Sequence, residues 1–206
     1  MELKGSRRRS VGVALAVLAL VLVAAACQPA HLRSPVPLPG GQRNFPDPTI
    51  FYATGQYHAY STTSYSSPVR NIQVMRSPDL YSWTGLTDAM PSTPSWARSV
   101  AQGGEFWAPT VGRFGSTYVL YFGGKHKSAP ANAPGWCIGY ATSSNPAGPF
   151  TPAANPLICQ VAGQNRVSPL TNAAPAANRG VFDPQIYVAP NGGAYLHFKA
   201  NDNPYQ

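Results

Sequence analysis

Charge is what this chain has least of. Only 11% of its 206 residues are charged, and just 7 are acidic against 15 basic. Acids this scarce can be weighed one by one. Cysteine is also rare, at 3, and no Cys/His spacing suggests a zinc site. There is no Gly-x-Ser-x-Gly elbow of the kind that carries a nucleophilic serine. Gly123-Gly124-Lys125-His126-Lys127-Ser128 lacks the upstream glycine and the Lys-Ser adjacency of a phosphate loop. No segment carries a convincing helical period. Disorder is excluded, because hydrophobic residues reach 44% and aromatics are spread along the chain.

What is there is proline and glycine, 22 and 19 residues respectively, and 11% aromatics. That mixture suits a loop-rich all-β protein. The first 27 residues read as an export signal. Lys4, Arg7, Arg8 and Arg9 form a basic start, and an uncharged apolar run follows from Val11 to Ala26. The run is shorter than the roughly 20 residues of a spanning helix, which leaves an uncleaved anchor as the lesser alternative. Ala24-Ala25-Ala26-Cys27 resembles a bacterial lipobox, with lipidated Cys27 as the mature N-terminus; simple cleavage is the competing reading. Either way the expected location is outside the cytoplasm, extracellular or lipid-anchored at the bacterial cell surface. Residues 28–43 are polar and proline-rich, a flexible tether. Residues 44–206 form the folded domain.

Removing Lys4, Arg7, Arg8, Arg9 and Glu2 with the signal leaves 11 basic residues against 6 acidic ones. The basic residues are scattered, with no stripe to hold nucleic acid. Cys137 and Cys159 remain as a pair in an exported protein, where disulfides persist. Bonded, they close a loop of about 22 residues and contribute roughly 3 kcal/mol; two buried free thiols are the alternative.

Period-2 runs mark strands at Tyr57–Tyr60, Ile72–Met75, Tyr118–Phe122, Ile138–Ala141 and Ala194–Phe198. Thr54-Gly55, Gly115-Ser116 and Pro190-Asn191-Gly192-Gly193 mark turns between strands. Within this pattern three stretches repeat: Phe45-Pro46-Asp47-Pro48-Thr49-Ile50-Phe51, Phe106-Trp107-Ala108-Pro109-Thr110-Val111-Gly112 and Val181-Phe182-Asp183-Pro184-Gln185-Ile186-Tyr187. Each precedes a turn and an alternating aromatic strand. A second pair, Gln73–Trp83 and Gly139–Phe150, runs from strand into a Ser/Pro/Asp/Asn turn and ends at an aromatic. Each unit therefore reads as two hairpins, four strands, which is a propeller blade. The repeat prolines lie 61 and 75 residues apart. The chain holds about two blades and the start of a third, so the expected fold is an incomplete β-propeller, the N-terminal portion of a longer protein.

Six carboxylates remain after export. Asp79 belongs to a Ser-Pro-Asp turn, where the side chain bonds nearby amides. Asp88 and Asp202 are expected to be solvated in polar loops. Asp47 and Asp183 open equivalent strands of different blades, so both face one end of the central channel. The Ala108-Pro109 copy shows that the turn forms without an acid, which favours a functional role for the two that are there. Paired acids across a channel suit carbohydrate chemistry.

The ordered set Phe45-Pro46-Asp47-Pro48, Phe106-Trp107-Ala108-Pro109, Cys137–Ser143 with Gly148-Pro149-Phe150, and Phe182-Asp183-Pro184 with Tyr195–Lys199 resembles glycoside hydrolase family 43 over residues 44–206. These are five-bladed propeller enzymes that include arabinofuranosidases, arabinanases and β-xylosidases. The resemblance implies hydrolysis of arabinose- or xylose-containing plant polysaccharides or oligosaccharides with inversion. It matches Asp47 to the general base and Asp183 to the aspartate that tunes and orients the acid; the family's general-acid glutamate has no match here. Phe45, Trp107, Glu105 and Lys199 are candidate substrate-binding residues, with Asn201 beside Lys199. Phe45 and Trp107 have blade packing as their alternative. Glu105 has three readings: a sugar contact, a stand-in acid or a rim charge. His58, His126 and His197 show no ligand spacing. No cofactor is implied; some family members hold a calcium ion in the channel, and the sequence does not choose. The rival reading is a non-catalytic sugar-binding propeller lipoprotein, or an inactive fragment.

Overall fold

The computed structural model describes residues 44–129, 135–160, 167–168 and 180–201. All belong to one compact unit spanning residues 37–206. The signal segment, Cys27, the tether at 28–43 and Asp202 lie outside the described residues. No helix among the described residues is long and apolar enough to cross a membrane.

Three antiparallel sheets follow one another along the chain. The first is a four-stranded meander of β1 (Thr49–Ala53), β2 (Gln56–Ser61), β3 (Gln73–Ser77) and β4 (Thr84–Asp88). The second contains β5 (Phe106–Phe114), β6 (Thr117–Lys125), β7 (Trp136–Ser143), β8 (Thr151–Pro152), β9 (Ile158–Gln160) and β10 (Val167–Ser168). The third is the hairpin of β11 (Gly180–Val188) and β12 (Ala194–Asn201). This is the all-β, incomplete propeller that the repeats imply. The β1–β2 turn shows why local sequence suffices here. Thr54 and Gly55 both have positive φ, 51° and 78°, the combination that matches the twist of paired strands.

The second sheet departs from the expected four strands. β7 is flanked on its outer side by two short strands in succession, β8 opposite Ala141 and Thr142 and β9 opposite Cys137 and Ile138. The chain leaves β7 between them at residues 154–156, while the Ala153 and Leu157 amides still donate to the Tyr140 and Ile138 carbonyls. Pro152 and Pro156 bracket that excursion, and neither has an N–H for the ladder. Cys137 and Cys159 sit directly opposite each other and are disulfide-bonded, tying β9 to β7.

The core runs between the first two sheets. Tyr60, fully buried, meets Phe150 edge-on with ring centroids 6.4 Å apart and donates its hydroxyl to the Pro146 carbonyl. Burying a ring of this size is worth about 1.5–3 kcal/mol. Trp96 lies nearly parallel to Phe122, 6.3 Å away. It fits because Gly124 and Gly139 on β6 and β7 leave the sheet bare beneath it. A Cβ on Gly139 would stand 2.5 Å from the Trp96 ring and 2.9 Å from Phe122. Gly124 of the Gly123-Gly124 pair thus serves packing. His58 is buried on β2, and burial holds its imidazole below the ordinary value, so it stays neutral.

Two acids are absorbed by the backbone. The Asp79 carboxylate accepts from the Tyr81 and Ser82 amides at 2.9 and 2.8 Å, and these bonds hold it below its usual range, the Ser82 amide contributing most. Asp88 is not a solvated loop acid. It closes β4 half-buried, accepting from the amides of Asn71, Ile72 and Met90 at 2.8, 3.1 and 3.0 Å. It therefore locks the segment before β3 to the segment after β4.

The bare floor under Trp96 makes Gly139→Ala costly despite its small size. Overpacking of this kind destabilises by about 1–3 kcal/mol. The expected outcome is a melting midpoint lowered by roughly 2–12 °C, measured by calorimetry against the native chain; an unchanged midpoint would show that Trp96 moves freely.

Candidate active site

The repeated motif produces one unusual backbone state three times. Asp47, Ala108 and Asp183 have φ values of 48°, 45° and 52°. For a residue with a Cβ this left-handed region costs about 1–3 kcal/mol, and here a proline follows each one. The cause is visible in the ladders. From Trp107 to Thr110 β5 takes three steps while β6 takes two, Gly123 to Tyr121. Phe182 to Gln185 against Lys199 to His197 repeats the same mismatch. Each is a one-residue bulge, a device that re-aims a side chain out of a sheet. In the first blade the Thr62 amide reaches the Pro46 carbonyl at 3.3 Å, and Thr49 then pairs with Tyr60, giving the same offset.

The three bulged strands converge. β1, β5 and β11 border one cavity of about 370 Å³, lined among others by Thr49, Ile50, Thr110, Val111, Gln185 and Ile186. Thr49, Thr110 and Gln185 each lie two residues beyond a bulge. Asp47, Ala108 and Asp183 therefore stand around the cavity at the beginnings of its walls. Both aspartates are exposed. Gly112 lets β5 and β11 close up, since a Cβ there would meet Ile186 at 2.7 Å.

A run of hydroxyls that the sequence reading passed over fastens the first two blades at this end. The Thr62 hydroxyl donates to Asp47 Oδ2 at 3.0 Å and accepts from the Ala108 amide at 3.1 Å. Thr63 exchanges backbone and side-chain bonds with Phe106, at 3.0 Å from its own amide and 2.8 Å to its hydroxyl. Ser61 donates to the Pro46 carbonyl at 2.5 Å.

The remaining candidates divide. Trp107 is half-buried, with one face stacked on Trp136 at 3.9 Å and 27°. Trp136 leans in turn on Phe182, 6.1 Å away. That series packs the second blade against the third, so Trp107 has a packing role on that face. Phe45 is half-buried at the head of the first blade. Lys199 is exposed on β12 opposite Phe182, the residue before Asp183. The side chain of Asn201 lies outside the described residues. Glu105 is half-buried and accepts a hydrogen bond from the hydroxyl of Tyr65, a residue the sequence reading did not single out.

Among the described residues, no group of three His, Cys, Asp or Glu is placed to hold a metal. The cavity lining supplies hydroxyls, an amide and the Arg113 guanidinium, and no carboxylate. Calcium takes six to eight oxygens, carboxylates among them, so these donors do not fit that ion.

Fold and repeats together define an incomplete β-propeller with acids at equivalent bulges of two of its strands. The family described as Glycosyl hydrolases family 43 matches residues 38–205, and the chain belongs to that family. Among solved structures, the α-L-arabinanase of Cellvibrio cellulosa resembles it with a TM-score of 0.54 at 17% identity, over 75% of this chain and 44% of that one. A thermostable family-43 glycoside hydrolase gives 0.53 at 21%, over 74% and 40%. CoXyl43, a β-xylosidase/α-arabinofuranosidase from a compost microbial metagenome crystallised with xylotriose, gives 0.52 at 19%, over 82% and 45%. These likenesses are to five-bladed propellers, of which the chain spans less than half the length. No curated protein matches the chain.

Burial raises the Tyr65 phenol above its ordinary value, and the Glu105 hydrogen bond and charge raise it further. Glu105→Ala removes the last two causes, so Tyr65 should ionise at lower pH. The phenolate absorbance titration, taken as the difference from Tyr65→Phe in each background, reads this; an unmoved titration would dissolve the pair.

Proposed function

We propose that the protein is an exported glycoside hydrolase that cleaves arabinose- or xylose-containing plant oligosaccharides or polysaccharides with inversion. One observation carries the reading. In a chain of glycosyl hydrolase family 43, carboxylates occupy two of three equivalent bulges around a single cavity. The substrate class is drawn from the relatives described above, whose names are those of arabinanases, xylosidases and arabinofuranosidases.

Inversion uses a base on one face of the sugar and an acid on the other, far enough apart to admit a water. Asp47 is the proposed base. It is exposed and braced through one oxygen by Thr62, and it draws a proton from the attacking water as the glycosidic bond breaks. The leaving oxygen takes its proton from a general acid for which the described residues hold no match, and Asp183, at the corresponding bulge, is proposed to orient that acid and to keep it protonated through its negative charge. Glu105 is assigned to the substrate side, as an acceptor for a sugar hydroxyl alongside the exposed ring of Tyr65. Phe45 and Lys199, each near one of the two aspartates in the chain or across the ladder, are proposed to contact the same sugar.

Replacing Asp47 by Asn keeps the shape and removes the base. Hydrolysis of an aryl arabinofuranoside or xyloside is expected to fall by about 10²–10⁴-fold, with oligosaccharide binding retained. Equal rates in the two proteins would overturn the assignment. Oligosaccharide binding in both, with turnover in neither, would assign a non-catalytic sugar binder instead.

Export is part of the proposal and rests on the basic start, the apolar run and the small residues before Cys27. Lipidation at Cys27 predicts incorporation of a labelled fatty acid in the bacterial host, lost in Cys27→Ala. A labelled Cys27→Ala protein, or an unlabelled native one, would leave simple cleavage.

A further inference from the structure

The repeat keeps its strained backbone at Ala108, where there is no acid to aim. Strain of about 1–3 kcal/mol persists only where the surroundings enforce it, so this copy has a use of its own. Its amide identifies that use. The register break between Trp107 and Thr110 takes Ala108 out of the β5–β6 ladder, and its N–H turns to the neighbouring blade, 3.1 Å from the Thr62 hydroxyl. We propose that Thr62 is a positioning residue for Asp47, and that the acid-free Ala108-Pro109 bulge serves to set the direction of the Thr62 hydroxyl.

The argument is one of hydrogen-bond polarity. A hydroxyl has one proton and two lone pairs. An amide can only donate, so the Ala108 N–H occupies a lone pair of Thr62. A carboxylate can only accept, so the single Thr62 proton points at Asp47 Oδ2, 3.0 Å away. Each partner fixes the other's role, and the chain N–H to hydroxyl to carboxylate has one arrangement. With Oδ2 engaged, the attacking water is assigned to Oδ1.

Thr62 is itself held at every polar group. It is only 8% exposed. Its amide donates to the Pro46 carbonyl at 3.3 Å, one residue from Asp47. Its carbonyl accepts from the buried Gln73 amide at 3.0 Å, and the same Gln73 nitrogen reaches the Asn44 carbonyl at 3.3 Å. The segment that carries Asp47 and the residue that orients it are thus pinned to a common support. A purely structural role for the Thr62 hydroxyl is redundant, because Thr63 already joins the two blades through Phe106.

The proposal rests on Asp47 as the base, and its test separates the two ideas. In the full chain, the Ala108 amide resonance is followed through an acid titration. It is expected to move as the Asp47 carboxylate is protonated, and to lose that response in Asp47→Asn and in Thr62→Val. Thr62→Ser, which keeps the hydroxyl, is expected to keep the response. This arm needs no turnover. An Ala108 amide in the native chain that ignores the titration, or one that still responds in Thr62→Val, overturns the relay. In the activity arm, Thr62→Val should lower kcat by about 10- to 100-fold with KM within about twofold, and Thr62→Ser should restore it. Activity that requires Asp47 but is unchanged in Thr62→Val overturns the positioning role while leaving the base in place. Full activity in Asp47→Asn overturns the base itself, and the positioning role with it.

Discussion

A left-handed residue held in front of a proline is the constraint on which this site depends. At Asp47, Ala108 and Asp183 the backbone enters a region that side chains avoid, and it does so where a strand begins. The one-residue bulge that results turns both the side chain and the N–H away from the ladder. Each blade thereby presents one group outside its ladder at the equivalent position of its first strand. That group is a carboxylate in two blades and an amide in the third. The conformation is shared; the chemistry differs by what hangs on it.

Such a state needs neighbours that over-determine it. They come from the strand alongside and from the adjoining blade. Ser61 and Thr62 brace the opening of the first blade from within it, and Thr62 and Thr63 tie it to the opening of the second. Trp107, Trp136 and Phe182 stack from the second into the third. Gly112 and Gly180 clear the space, the latter because a Cβ would meet Phe182 at 2.7 Å and Trp136 at 2.9 Å. Individual hydrogen bonds of this kind contribute about 0.5–1.5 kcal/mol, yet an unsatisfied buried partner costs about 1–3. The clasp therefore penalises partial opening more than it rewards any single contact.

Much of this fold was legible in sequence because its information is local. Period-2 runs and Gly-bearing turns place β1, β2, β6, β7 and β12 without knowledge of any distant contact. The Asp79 turn is readable because its partner amides are two and three residues away. Asp88 was misread for the opposite reason: the amides of Asn71 and Ile72 that it accepts lie 17 and 16 residues back. Thr62 carried no signal at all. A hydroxyl in a Ser-Thr-Thr-Ser run looks like any solvated loop until the second blade brings Ala108 to it, 46 residues on. The equivalence of Asp47 and Asp183 was visible as a repeat, whereas the reason for Ala108 was visible only as a missing acid.

That missing acid has a physical rationale. An aspartate at 108 would place a second carboxylate one residue's reach from the Thr62 hydroxyl that serves Asp47. Two anions would then compete for one proton donor, and like charges this close disfavour joint ionisation. Alanine removes the competitor and keeps the bulge, leaving an N–H whose positive end points along the chain toward Asp47. A small apolar residue in a strained position is thus the form in which this blade can support its neighbour's charge. The repeat divides labour: the acid-bearing copies stand at the heads of two strands that wall the cavity, and the copy between them braces the first.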